Sequence, residues 1–322
     1  MKVAIVTQPL MENYGGMLQN YALQQALIGL GHQPVTIDWL PKLKLKWYVR
    51  GIARTLLKGV PYRPYHRRRL EVMDSFAHDY LKLTPTCWKH GRNQLDGMDA
   101  VIVGSDQVWR PGLGLDYLYD MFLRFAGDFE GRRIAYAASF GTNSWNVSDK
   151  VRSRCAVLAA KINPVSVREA SGIDICTSCL GIDAVQMPDP VFLLDPSSYL
   201  NLCKDIPVNR KPYLAAYILD SNDKSETAIQ KAVSETGLPV IRCTSGAGAK
   251  LSVQEWIAMF RDAQYVVTDS FHGVVLSRML GKDCAVIVNE NRGKARFDSV
   301  MGVPDLALER KRGLNFLKEA LQ

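Results

Sequence analysis

The sequence predicts an α/β fold with two similar halves that face each other across a cleft. Three observations predict it. Short, largely apolar runs alternate with helical stretches, the alternation restarts after residue 190, and Pro188-Asp189-Pro190 separates the two series. Such apolar runs suit parallel strands covered on both faces, and the intervening helices suit right-handed crossovers. Because folds of this class bind ligands beyond the carboxyl ends of their strands, we expect the functional site in the cleft.

The elements follow in order along the chain. In the first half, strands are predicted at residues 3–7, 35–38, 100–103, 133–137, 165–168 and 184–187, with a helix at about 17–29 that Gly31 ends. In the second half, strands are predicted at 213–219, 239–243, 265–268 and 284–288, with helices near 223–236, 252–262 and 271–280. Two prolines within three residues predict a boundary near residue 190. We therefore predict domains at 1–188 and 189–304, and a helical segment at 305–322 that packs back on the first domain.

Composition narrows the class of protein. The chain has 322 residues, of which 47% are hydrophobic and 22% charged, as in a soluble globular protein. No apolar run approaches the ~18 residues of a membrane span, and residues 1–6 lack the layout of a signal peptide. The seven cysteines are scattered, and Cys176-x-x-Cys179 is their only close pair. We predict a cytoplasmic protein with no cofactor and no metal site.

Positive charge is concentrated in one segment. The net charge is +8, yet residues 41–70 hold ten basic residues and no acidic one. They belong to an insertion at about 41–90, in which 47–60 has the spacing of an amphipathic helix. That helix either covers the core of the first domain, or it lies on an anionic membrane surface or grips a lipid-linked pyrophosphate. A local basic patch indicates a local anionic partner, and we predict no binding of nucleic acid.

A glycine-containing turn follows the first strand. Asn13, Tyr14, Gly15, Gly16 and Gln19 lie where this strand gives way to a helix. Glycines let the backbone approach a ligand, and the helix N-terminus offers N–H groups to an anion. The alternative is that the glycines serve only the geometry of the turn.

Polar residues follow the strand at 100–103. Asp106 and Gln107 can hydrogen-bond to a sugar, on which Trp109 can stack. The alternative is a helix cap made by Ser105 or Asp106, with Trp109 in the core.

Two further strand ends carry cationic or titratable groups. Arg168 directly follows a strand and can bind a carboxylate or phosphate with two hydrogen bonds. Its alternative is an ion pair with Glu169 or another acid at the domain joint. His272 lies in the first turn of a helix after the strand at 265–268, where the helix dipole attracts anions. Its alternative is a structural role.

A cationic cluster follows the last predicted strand. Arg292, Lys294 and Arg296 stand within five residues of one another. They form either a solvated loop or a clamp for phosphate.

Taken together, these segments resemble the polysaccharide pyruvyl transferase family. The matching segments are residues 14–19, 104–109, 166–172, 189–191 and 269–273, in family order. The resemblance implies a fold like that of the B-type glycosyltransferases. It also implies phosphoenolpyruvate as donor and a pair of sugar hydroxyls as acceptor, which together form a pyruvyl ketal in cell-surface polysaccharide biosynthesis.

The resemblance also implies roles for individual residues. Arg168 matches a family arginine that contacts the donor, and His272 matches a histidine implicated in donor binding and acid catalysis. Many members have an arginine where this chain has Ser270, so Arg292, Lys294 or Arg296 is expected to replace that donor contact. Together with Ser270 these residues form the predicted donor site. We expect the acceptor to be bound by Asn13, Tyr14, Gly15, Gly16, Gln19, Asp106, Gln107 and Trp109.

The expected partners are phosphoenolpyruvate, a sugar or lipid-linked oligosaccharide, and the inner face of a membrane through residues 41–70. Two other functions stay open at this stage. One is a glycosyltransferase of similar fold that uses a nucleotide sugar. The other is a non-catalytic scaffold that binds lipid-linked oligosaccharide.

Overall fold

The computed structural model describes residues 1–40, 69–112, 114–288, 295–302 and 305–322. Its strands are β1 Lys2–Val6, β2 Gln33–Thr36, β3 Ala100–Gly104, β4 Arg132–Ala138, β5 Val165–Val167, β6 Val185–Gln186, β7 Leu214–Tyr217, β8 Val240–Cys243, β9 Tyr265–Thr268 and β10 Cys284–Val286. Its α-helices are α1 Tyr14–Gly29, α2 Glu71–Tyr80, α3 Leu115–Met121, α4 Asp149–Ala159, α5 Ala170–Ile175, α6 Pro196–Leu202, α7 Asp223–Thr236, α8 Val253–Asp262, α9 Phe271–Met279, α10 Ala295–Met301 and α11 Leu306–Ala320.

The strands of the described residues form two parallel sheets. The order is β2-β1-β3-β4-β5-β6 in the first and β10-β9-β7-β8 in the second. The predicted α/β class with two parallel halves is confirmed. Strand β7 ends two residues earlier than predicted, because the amides of Leu219 and Asp220 donate to the carboxylate of Asp269 at 2.7 and 2.9 Å rather than to a neighbouring strand.

Both faces of the first sheet are covered. Val3 and Ile5 of β1 pack with Leu23 of α1, whereas Ala4 and Val6 face a second apolar cluster. Successive side chains of a strand point to opposite faces, so an apolar run is buried completely only when helices cover both sides. The second sheet is covered in the same way, by α8 and α9 on one face and α7 on the other.

One apolar cluster joins the two halves. Tyr14 of α1 and Phe76 of α2 belong to it together with Trp256 of α8 and Phe271 of α9. The rings of Tyr14 and Trp256 stack with centroids 5.1 Å apart, and the Tyr14 hydroxyl donates to the carbonyl of Leu251 at 2.7 Å. The first helix of the chain is thus anchored in the core of the second half.

The C-terminal helix returns to the first sheet. Phe316 and Leu317 of α11 pack with Ile5 of β1 and Tyr136 of β4. Gly313 permits this approach, since a Cβ there would lie 2.5 Å from both the Leu193 Cδ2 and the Tyr136 hydroxyl. The C-terminal helix α11 is therefore packed against the first half of the structure.

Part of the predicted insertion can be placed. Helix α2 buries Met73 and Phe76, and Arg69 pairs with Asp38 at 2.8 Å and with Asp74 at 3.0 Å. The amphipathic helix predicted at 47–60, and all of residues 41–68, lie outside the described residues. Every described helix is too short or too polar to cross a membrane.

We predict that Gly313→Ala destabilises the protein. The new methyl group would meet two buried side chains, and overpacking of this kind costs about 1–3 kcal/mol. Gly29→Ala is the matched control, because no atom lies within 4 Å of a Cβ there and alanine favours a helix. The midpoint of urea unfolding should fall for the first variant only. Equal midpoints would contradict the close packing of α11.

Candidate active site at the facing sheet edges

The turn between β9 and α9 is fixed by its own side chains. The Thr268 hydroxyl donates to the carbonyl of Tyr217 at 2.6 Å and accepts from the amide of Ser270 at 3.1 Å. Ser270 in turn caps α9, with its hydroxyl oxygen accepting from the amide of Gly273 at 3.3 Å. Because a cap sets the direction in which a helix leaves its turn, these bonds orient the first turn of α9, which contains His272.

His272 faces the first half of the chain. Its ring lies directly on Gly15 of α1, where a Cβ would be 2.1 Å from the imidazole Nδ1. The residue is 6% exposed, and its Nε2 lies 3.6 Å from Asp189 Oδ2. Within the described part of the chain, Nε2 has no hydrogen-bond partner. An imidazole nitrogen that is held beside a carboxylate without a partner can exchange a proton with a ligand.

Asp189 connects His272 to the first sheet. It follows β6, and its Oδ1 accepts from the amide of Val191 at 3.1 Å, which begins a short 3₁₀ helix. Its Oδ2 accepts from Arg168 Nη1 at 3.0 Å. Burial alone would raise the pKa of Asp189, but its contact with His272 and the charge of Arg168 lower that pKa to about 2. The group is therefore a carboxylate at any ordinary pH.

Arg168 is buried among acidic side chains. Its guanidinium meets Asp189 at 3.0 Å, Glu169 at 3.4 Å and Asp106 at 3.8 Å, and its Cζ lies 4.2 Å from the centroid of the Phe271 ring. Burial acts to lower the pKa of Arg168, but the three carboxylates outweigh it and raise that pKa. The ion pairs that the sequence left open as an alternative are present. Arg168 Nη2 nevertheless has no hydrogen-bond partner among the described residues.

Asp106 adopts an unusual backbone conformation beside Arg168. Its φ of 68° lies in the left-handed region, which costs a residue other than glycine some energy. The carboxylate accepts from the amide of Gln107 at 2.9 Å, and the residue is buried. Unfavourable conformations of this kind concentrate at functional sites.

The structure corrects the predicted role of Trp109. The ring is fully buried, stacks on Phe122 with centroids 4.8 Å apart, and donates its Nε1 to the carbonyl of Met121 at 3.0 Å. An indole enclosed in this way has no face on which a sugar could stack. Trp109 belongs to the core, which is the alternative that the sequence left open.

Gln19, also expected to bind the acceptor, makes hydrogen bonds within the protein. Its Nε2 donates to the Thr7 hydroxyl at 3.1 Å, and its Oε1 accepts from the amide of Ser105 at 3.2 Å. The buried side-chain amide of Gln19 on α1 therefore hydrogen-bonds to the residues that directly follow β1 and β3. Tyr14 is likewise part of the apolar junction, and Gly15 and Gly16 are buried beneath the site.

Two more of the expected acceptor residues lie nearer the surface. Asn13 is exposed and caps α1, with its side chain accepting from the amide of Gly15 at 3.0 Å. Gln107 is partly exposed, and its Oε1 accepts from Arg110 at 2.6 Å. The structure does not bring either one into contact with His272.

The predicted cationic cluster cannot be placed. Arg292 and Lys294 lie outside the described residues, and of Arg296 only the backbone, in α10, is described.

Sequence reasoning missed two members of the site. Asp189 and Glu169 belong to segments that resemble the family, but the sequence predicts a site role for neither. The available signal was position, since both follow a predicted strand of the first sheet and carry a carboxylate there. A cavity of about 220 Å³ adjoins Asp189, with Arg168 and Phe271 also in its wall together with Glu309 and Arg312 of α11.

Fold and site together define a class of protein. Two parallel-sheet halves meet at the carboxyl edges of their strands, where a histidine, an arginine and several carboxylates converge, and this is the usual location of a ligand site in α/β folds. A family model for polysaccharide pyruvyl transferase matches residues 13–291. The chain therefore belongs to the polysaccharide pyruvyl transferase family, which supports a transferase that modifies polysaccharides.

Solved structures share the fold at low sequence identity. MnaA of S. aureus, solved with UDP, has a TM-score of 0.53 at 10% identity, over 97% of this chain and 91% of that one. UDP-N-acetylglucosamine 2-epimerase from Rickettsia bellii has a TM-score of 0.50 at 8% identity, over 100% of this chain and 96% of that one. A search of curated proteins found no significant match. The solved structures show the fold alone, and they agree with the predicted architecture.

We predict that Gly15→Ala displaces His272. The new methyl group would overlap the imidazole and should destabilise the protein by about 1–3 kcal/mol. Gly16→Ala is the matched control, because the atoms nearest a Cβ there lie at an ordinary contact distance of 3.6 Å. The imidazole signals of His272 in NMR spectra should shift in the first variant only. Unchanged signals in Gly15→Ala would contradict the contact.

We also predict an acid-sensitive contribution of Asp189 to stability. Its folded pKa of about 2 lies below the ordinary value of 3.8, so ionised Asp189 stabilises the fold above about pH 4, and this is lost as the pH falls through about 2. Asp189→Asn should remove that loss and cost about 3 kcal/mol near neutral pH. Urea unfolding measured across this pH range tests it, with exposed Asp183→Asn as control. An unaltered acid slope in Asp189→Asn would refute the assignment.

Proposed function

We propose that the chain transfers the pyruvyl group of phosphoenolpyruvate to a pair of sugar hydroxyls and forms a pyruvyl ketal in cell-surface polysaccharide. One observation supports this most. His272 Nε2 and Arg168 Nη2, both on side chains that contact Asp189, have no hydrogen-bond partner among the described residues. Buried donors are normally paired, and an anionic substrate would supply the missing acceptors.

The proposed reaction uses His272 as general acid. The protonated imidazole gives its proton to the terminal carbon of the enol, which leaves an oxocarbenium-like centre at the neighbouring carbon. One sugar hydroxyl attacks that centre and loses its proton to the departing phosphate, whose loss regenerates an oxocarbenium-like carbon. The second hydroxyl attacks this carbon and closes the ketal, and its proton returns to the imidazole. Asp189, ionised at any ordinary pH, faces the imidazole at 3.6 Å throughout.

The charge of the donor sets a further requirement. Three carboxylates already surround Arg168, so this guanidinium alone does not offset a carboxylate and a phosphate. We therefore propose that Arg292, Lys294 and Arg296 also contact the donor. Ser270 can add a neutral contact, since its hydroxyl can donate while its oxygen caps α9.

The acceptor in this proposal is a sugar or a lipid-linked oligosaccharide. A basic segment suits the anionic surface on which a lipid-linked acceptor is presented. We therefore propose that residues 41–70 contact the inner face of a membrane.

We predict that His272→Ala lowers turnover ~10²–10⁴-fold, the usual contribution of a general acid. The assay combines labelled phosphoenolpyruvate with a panel of sugar acceptors, and measures phosphate release together with a mass gain equal to one pyruvyl ketal. His78→Ala is the matched control, because His78 is exposed on α2. Thermal unfolding should show that both variants are folded.

Near-normal turnover of His272→Ala would refute its role as the acid. Transfer from a nucleotide sugar alone would indicate a glycosyltransferase, and absence of any transfer would favour an oligosaccharide-binding scaffold. Either result would contradict the proposed reaction.

A further inference from the structure

The cavity beside Arg168 lies where the segment after β6 meets helix α11. One part of its wall belongs to the candidate active site and contains Asp189 and Phe271. Another part lies outside that site and contains Glu309 and Arg312. Its volume is about 220 Å³. Since pockets for drug-sized ligands span about 300–1,000 Å³, a space of this size suits a ligand as small as one ring.

Formal charges in the described wall of this cavity balance. Arg168 and Arg312 carry positive charge, and Asp189 and Glu309 carry negative charge. A doubly anionic ligand would therefore find no excess of positive charge here, and each carboxylate would repel it. A neutral ligand would not face that repulsion.

The wall also offers the groups that bind hydroxyls. Carboxylate oxygens accept from hydroxyls, and a guanidinium has five N–H groups that donate to them. Arg312 uses some of its N–H groups on Glu309 and on the carbonyl of Gln186 at 3.0 Å, which holds the guanidinium at the cavity. Phe271 is 4% exposed and lies against Arg168, so it closes the wall without a free ring face. A carboxylate and a guanidinium beside apolar wall residues such as Met187 and Val300 are suited to a sugar ring.

A separate observation favours the same place. Trp109 and Gln19, expected to bind the acceptor at the first sheet, are committed to the core and to internal hydrogen bonds. The cavity, by contrast, reaches Asp189, whose Oδ2 is 3.6 Å from His272 Nε2. Asp189 itself is fully buried and hydrogen-bonded to Arg168 and Val191, so the cavity ends near the proposed acid without offering this carboxylate to a sugar.

We infer that this cavity binds a neutral sugar ring of the acceptor, with Glu309 and Arg312 of α11 as binding residues. The inference rests on the proposed function for the reaction that follows, but sugar binding itself can be measured without it. Both residues lie beyond the part of the chain that matches the family model, which ends at residue 291. Helix α11 would therefore give this chain its own acceptor preference.

The test measures binding of methyl glycosides of common neutral hexoses to the full-length protein by NMR, without donor. We expect at least one glycoside to bind, and Glu309→Gln and Arg312→Gln each to weaken that binding about tenfold or more, as for loss of a charged hydrogen bond. The matched controls are Glu319→Gln and Lys311→Gln, at exposed positions of the same helix, and they should bind as the unmodified protein does.

Three results would overturn the inference: no glycoside binds, both cavity variants bind as well as their controls, or the variants weaken binding of phosphoenolpyruvate instead. Glu309 and Arg312 are 13% and 45% exposed, so both variants should fold, and thermal unfolding checks each independently. The variants could lose sugar binding while the unmodified protein transfers no pyruvyl group. That result would refute the proposed reaction but would still support the sugar-binding site.

Discussion

The buried ion pair between Arg168 and Asp189 is the interaction on which the site depends. A charge inside a protein is tolerated only when opposite charges and hydrogen bonds replace its water. Here the guanidinium follows β5, the carboxylate follows β6, and the ring of Phe271 from the second half lies against the guanidinium at 4.2 Å. Removal of Asp189 would take away the shortest ion pair of Arg168, and removal of Arg168 would leave Asp189 with only His272 and the amide of Val191.

That ion pair also places the imidazole. Asp189 faces His272 on one side and Arg168 on the other, and the imidazole lies directly on Gly15. The apolar cluster around Tyr14 and Trp256 fixes the distance between the halves, because both rings belong to one packed core. A site assembled from two rigid halves in this way is held in position before any ligand arrives, which favours catalysis.

The family model and the solved structures match different features of the molecule. Solved structures at 8–10% identity share the arrangement of sheets and helices, whereas the family model covers the loops that follow the strands. Helix α11 lies outside that match, yet it packs on the first sheet and contributes Glu309 and Arg312 to the cavity. Residues of this helix can vary the choice of acceptor without altering the groups around His272.

The α/β class, the ten described strands and the polar residues at the strand ends could be predicted from the sequence, because hydrophobic periodicity and turn residues are local. Helices α3 to α6 were not predicted. The domain boundaries and the roles of the site residues stay predictions. The core position of Trp109 and the contacts of Arg168 with Asp106 and Asp189 are visible only in the folded chain. The same is true of the cavity beside α11. The reason is physical: which strand ends become neighbours depends on sheet order and on packing between distant segments, and local sequence does not encode either.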